Sequence, residues 1–178
     1  RSAGVWTKRA TLNPSDGVAS DSFGRSVAIS NGTIAVGSPQ HDLTVNGNQG
    51  AIYVYTGAGT TWTQQQKLTR TGPLFGDFFP TSLAIEGDTI VAGLQTYDGV
   101  VGLNQGAGLF FTRTADVWNA SEYFQPNETQ AGALFGASIG ISDQFAKHYG
   151  SQDDLMRTYG IMGDQIAATV KAKLEAAR

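Results

Sequence analysis

Apolar residues in this chain fall in short runs of four to eight, broken by clusters of Gly, Asn, Asp and Ser, which is the spacing of β-strands rather than helices. The runs predict strands at Phe23 to Ser30, Thr33 to Ser38, Ala51 to Thr56 and Trp62 to Leu68, then at Phe79 to Glu86, Thr89 to Leu94, Ala107 to Thr112 and Trp118 to Phe124. Residues 5–12, with Trp6 and Leu12, read as an additional strand of the fourth kind. Asn31-Gly32 joins the first two strands, and these two residues best tolerate the paired positive φ of a type I′ hairpin turn. Gly87-Asp88 takes the same place further on. Ile52-Tyr53-Val54-Tyr55 and Leu109-Phe110-Phe111 are apolar on both faces, so their sheets must be covered on both sides.

The pattern is periodic. Trp6, Trp62 and Trp118 lie 56 residues apart, as do Phe23, Phe79 and Phe135, and Ser26, Ser82 and Ser138. Residues 6–61 slide onto 62–117 without a gap and with 18 identities in 56 positions. The block Asn48-Gln49-Gly50-Ala51 returns as Asn104-Gln105-Gly106-Ala107. A unit of four antiparallel strands with two apolar faces cannot bury itself alone; stacked units of this kind are propeller blades. The expected fold is mainly β: tandem four-stranded antiparallel propeller-type blades, forming a partial propeller, with a C-terminal α-helical tail. The expected domains are a repeat region at 1–142, with units 6–61, 62–117 and a partial 118–142, and a tail at 143–178.

Phe23-Gly24, Phe135-Gly136 and Gly37-Ser38-Pro39 carry a family resemblance. With the run around them, residues 6–142 resemble the FG-GAP repeat of β-propellers, in its bacterial and algal type. The second unit departs from the pattern, with Phe79-Pro80 for Phe-Gly and Gly93-Leu94-Gln95 for Gly-Ala-Pro. The resemblance implies propeller blades and a role in ligand binding at surfaces. The family's calcium-binding form carries an acidic loop between the first two strands. Here that place holds only the two-residue turns, which cannot wrap a cation, so no metal site is carried over.

In such a meander all the long connections, 13–22, 39–50, 69–78 and 95–106, emerge at one end. Ligands are commonly read by loops on a rigid scaffold. The candidate ligand-binding residues there are His41, Asp42, Asn46, Tyr97 and Asp98. Asp42 and Asp98 recur at one position of the repeat, as turn residues that cap backbone groups do. His41-Asp42 lacks a nucleophile motif, so no catalytic residue is assigned and the chain is not expected to be an enzyme. No Gly-rich loop ends in Gly-Lys-Ser/Thr, and no cofactor is expected.

After Ser142 the third unit breaks off. Asp164 begins an amphipathic pattern in which Ile166, Val170 and Leu174 share one face, an expected helix that caps the blades or docks a partner. Two units and two orphan strands do not close a ring. The chain is expected to be part of a longer propeller, a short stack capped by its tail, or, as the favoured reading, a component of a larger assembly. Its partners would then be proteins: other subunits, or further copies of the same chain. The net charge of −3 and pI near 5.2 argue against nucleic acid, and no apolar run is long enough to span a membrane. There is no cysteine. Three glycosylation sequons, Asn31, Asn119 and Asn127, together with the resemblance, point to an extracytoplasmic setting. The expected function is a non-catalytic protein-binding or scaffold module; the alternative is an adhesion or glycan-binding module that uses the long-loop end.

Overall fold

The computed structural model describes residues 4–43, 47–70, 78–98, 103–125 and 131–141. They form two four-stranded antiparallel meanders. Blade one comprises β1 (Ser26–Ser30), β2 (Thr33–Ser38), β3 (Ala51–Ala58) and β4 (Thr61–Leu68). Blade two comprises β5 (Ser82–Glu86), β6 (Thr89–Leu94), β7 (Ala107–Thr114) and β8 (Val117–Phe124). Ser30 pairs with Thr33 across Asn31 and Gly32, whose φ values of 45° and 74° are those a tight hairpin requires. The blades are most closely apposed at β1 and β5, where the chain enters each sheet.

Three expectations are corrected. Each first strand begins at Ser26 or Ser82, not at the preceding Phe: in unit one Gly24 has turned to φ 90° and donates its N–H to Gly37 O, and in unit two Pro80 has no N–H to give and Thr81 N bonds Gly93 O instead. The strand expected at 5–12 does not form: Val5 makes an isolated bridge, and residues 6–12 carry no strand and are almost wholly exposed. The third unit contributes a single parallel bridge, Gly106 to Phe135, among the described residues. The helix expected in the tail, with Ile166, Val170 and Leu174, falls outside the described residues, as do Asn46 and Asn127.

Each blade carries one irregularity in its outer strand pair. Tyr55 pairs with Gln64 and Val54 with Gln66, so Gln65 is one residue too many. Such a bulge turns two successive side chains to the same side. Gln65 and Gln66 both reach blade two as a result. The Gln66 carboxamide donates to Trp118 O at 2.9 Å and accepts from Trp118 N at 2.8 Å, while Gln65 Oε1 accepts from the Trp118 indole at 3.1 Å. The pair Gln65-Gln66 is thus a stitch between sheets, placed where a regular strand would have sent one amide away.

The core lies between the blades. Ala35, Ile52, Val54 and Leu68 of blade one meet Ile90, Leu109, Phe111 and Trp118 of blade two. The three repeated tryptophans end in three environments: Trp118 is 2% exposed, Trp62 is half-buried on the opposite face of blade one, and Trp6 is 81% exposed. A tryptophan at this position is buried only when a preceding blade supplies the surface beneath it.

The repeated Asn-Gln-Gly-Ala block is the joint. Asn48 and Gly50, like Asn104 and Gly106, adopt positive φ. This exposes carbonyls to the next unit: Phe78 N donates to Asn48 O, Leu134 N to Asn104 O and Phe135 N to Gln105 O. A Cβ on Gly50 would collide with the Phe79 carbonyl, and one on Gly106 with the backbone of Phe135. Only glycine permits this approach. Gly50→Ala and Gly106→Ala should each cost about 2 kcal/mol or more, the left-handed penalty plus the clash, in urea denaturation. Trp118→Ala should cost about 3–5 kcal/mol, and Trp6→Ala should fall within about 0.5 kcal/mol of wild type in the same measurement.

Candidate functional site at the long-loop end

The two loops at this end are built alike. Asp42 accepts N–H bonds from Gly47 at 3.2 Å and Asn48 at 2.7 Å; Asp98 accepts one from Asn104 at 2.8 Å. Gly50 N closes the first loop on His41 O and Gly106 N closes the second on Tyr97 O. Each carboxylate therefore holds the turn that presents the joint glycine. Both Asp42 and Asp98 remain exposed, and Asn31 and Asn119 lie on exposed backbone far from these loops, at a hairpin turn and on β8.

His41 and Tyr97 occupy the same repeat position but do different things. His41 is buried; its Nδ1 lies 2.8 Å from Asp21 Oδ2 and its Nε2 lies 2.7 Å from Lys67 Nζ. Lys67 also donates to Asp16 at 2.7 Å, and the Tyr53 hydroxyl donates to the other Asp16 oxygen at 2.8 Å. One proton assignment satisfies every contact: Nδ1–H donates to Asp21, and the bare Nε2 accepts from the lysine ammonium. Lys67 stands where a metal bound to His41 Nε2 would have to sit. Among the described residues no three His, Asp or Glu side chains converge as a cation site needs. Tyr97 instead stacks on Tyr123, with ring centroids 5.1 Å apart. Asp21 reads in sequence as a turn acceptor, and it does accept the Val18 N–H at 3.0 Å; its bond to His41 is additional.

The network ties residues 13–16 across blade one. Tyr55 donates to Asn13 O at 2.7 Å, and Ser15 and Gln64 exchange two bonds of 3.0 Å. Lys67, Tyr53 and Asp16 are absent from the sequence-based candidates. Their signal was available: one repeat on, Tyr53, Lys67 and Asp16 become Leu109, Tyr123 and Gly72, so a polar group in one unit answers to an almost apolar one in the next.

The titration of these groups follows from their neighbours. The Lys67 ammonium bonded to Asp16 holds that carboxyl below its usual value, against the opposing effect of burial and with help from the Tyr53 hydroxyl. Its contribution to stability is therefore whole above the ordinary carboxylate value and is lost as the pH falls below that value and through the lowered value of the folded state. Burial, then the adjacent Asp16, pushes the Tyr53 phenol well up. Burial pushes Tyr55 up to about 12.

The geometry and the repeat agree with an outside comparison. The sequence model of the FG-GAP repeat matches residues 6–55 and 62–108, more than half of the chain. The chain belongs to the FG-GAP repeat family. No curated protein matches it. FG-GAP repeats are generally protein-interaction or adhesion modules, and they occur mostly in extracellular or cell-surface proteins.

For both tyrosines the raised value means that the protonated phenol is favoured by folding. Their stabilising contribution is complete below pH 10, the ordinary phenol value, and is lost as the pH rises through the folded-state values. In an alkaline titration followed by phenolate absorbance, Tyr53 and Tyr55 should ionise late, Tyr55 with a midpoint near 12. Tyr53→Phe and Tyr55→Phe should each remove one late-ionising group.

Proposed function

We propose that this FG-GAP chain is a non-catalytic protein-binding module that works as a component of a larger assembly in an extracytoplasmic setting. One observation carries the reading. Val27 and Ile29 of β1 are 59% and 66% exposed, whereas their counterparts one unit on, Leu83 and Ile85, pack against blade one. Both side chains share a face with Ile34 and Val36, to which they are paired across the hairpin. The same surface is thus occupied by protein in one unit and open in the other. Apolar side chains adjacent in a rigid sheet and left in water mark interaction surfaces.

The glycan-binding reading of the long-loop end draws less support. The Asp42 and Asp98 carboxylates are engaged by their own loops, and His41 is enclosed between Asp21 and Lys67. Those groups are committed to shape before any sugar arrives.

Photo-crosslinking in the producing cells tests the proposal. A benzophenone amino acid at Ile29 should give a discrete protein adduct, and Ile29→Asp should shift the native particle to lower mass in light scattering. The same probe at Val117, 50% exposed on the outer strand of blade two, should give none. Absence of any adduct at Ile29, with a particle that stays at the 18.8 kDa of one chain, would remove the reading.

A further inference from the structure

Between the two blades, where β1 and β5 begin, lies a cleft of about 500 Å³. Its walls come from equivalent places in successive units: Ser22 and Phe78, Arg25 and Thr81, Pro39 and Gln95. At the joint these units are alike, residue for residue. In the cleft every one of these pairs differs.

Among the described residues the cleft is lined by one cation and no acidic side chain. Arg25 is exposed and its guanidinium has no hydrogen-bond or ion-pair partner among the described residues. The backbone donors around it are used: Arg25 N bonds Ser22 O, Gln40 N bonds Asp21 O, and Gln95 N bonds Thr81 Oγ1. The Ser22 hydroxyl donates to Gln40 Oε1, which leaves the Gln40 amide nitrogen as a donor. What remains is therefore a planar guanidinium with carboxamide donors from Gln40 and Gln95, beside the apolar surfaces of Pro39 and Phe78. Phe78 is 36% exposed and is fixed at φ 50° by its N–H bond to Asn48 O.

We infer that this cleft binds an acidic side chain, Glu or Asp, from an extended segment of a protein partner. The inference rests on the protein-binding reading above and assigns it a second contact. A carboxylate has two oxygens in one plane and a single charge, which suits one guanidinium fork and a neighbouring amide. A phosphate group, nearer two charges, would be left half-neutralised by a lone arginine. The methylenes of the acidic residue would lie on Pro39 and Phe78.

The test is side-chain NMR on the whole chain with the probe peptide acetyl-Gly-Glu-Gly-amide, its Gln counterpart, inorganic phosphate and glucuronate. The Glu peptide should shift the Arg25 Nε–H and the Gln40 and Gln95 amide signals saturably, and the Gln peptide should not. Arg25→Gln should weaken binding at least about tenfold, as the loss of a charged hydrogen bond does. Gln95→Ala, at a half-buried position, should weaken it less, and unchanged backbone spectra certify that both variants fold. No saturable shift at millimolar Glu peptide overturns the inference. So does a response to phosphate or glucuronate alone, which would give the cleft to a different ligand. The Ile29 crosslink is read separately: an adduct that persists in Arg25→Gln, with no Glu-peptide binding, sinks the cleft and spares the protein-binding reading, and the converse result does the reverse.

Discussion

The close approach of the Phe79 backbone to Gly50, and of Phe135 to Gly106, sets the geometry on which everything else depends. A side chain at either glycine would hold the next unit away. With the backbones in contact, Phe79 is fully buried and the blades stand close enough for Gln65 and Gln66 to span them. Trp118 then has both a floor and a hydrogen-bond partner for its indole, as a buried tryptophan needs. The loop carboxylates Asp42 and Asp98 act one step upstream, since they shape the turns from which these glycines emerge. Turn, joint, stitch and core form one chain of causes, and it begins with an absent Cβ.

The same surface, compared between units, shows how context decides chemistry. On blade two it is Leu109, Phe111 and stacked Tyr97 and Tyr123, and it lies mostly against blade one. On blade one it is Tyr53, Tyr55, His41 and Lys67, overlaid by residues 12–16 rather than by a sheet. Hydroxyls and charges can be kept beneath so thin a cover because each finds a partner, whereas an unpartnered one would cost 1–3 kcal/mol or so. Inboard, on β1, the cover ends and Val27 and Ile29 are left in water. Blade one therefore has a face of two parts, one satisfied by its own chain and one not. The unsatisfied part is where association is favourable.

Much of this was legible in the residues. Strand runs, the Asn31-Gly32 turn and the 56-residue period follow from local rules about periodicity and backbone freedom, and the four-strand order within each blade follows from them. Other features depend on distant partners. Trp6, Trp62 and Trp118 are the same residue at the same repeat position, and only the presence of a blade beneath Trp118 separates them. Residues 6–12 share the Trp-Thr start and the closing Leu of β4, yet lie exposed outside any strand. The bulge at Gln65 depends on register, which no single strand reveals. The His41 network draws on residues 20 and 26 positions away, Asp21 and Lys67, and shows in sequence only as a coordinated departure of one unit from the other.

That departure gives repetition a use beyond fold recognition. A residue that serves the blade must recur with the blade, because each joint and each loop solves the same steric problem. Gly50 and Gly106, Asp42 and Asp98, and Asn48 and Asn104 obey this. A residue that serves a ligand has no such obligation, since a ligand contacts one particular pair of units from one side. Positions that are equivalent in space but different in kind are therefore the ones the scaffold leaves free. Two places are left free: the face of blade one around Val27 and Ile29, whose residues recur as Leu83 and Ile85 but in unit one lack a blade to cover them, and the cleft beside Arg25, where such differing positions gather. The first offers unspent apolar area, and the second an unspent cation. A partner that used both would gain affinity from the one and orientation from the other, which is how apolar and charged contacts divide their roles at protein interfaces.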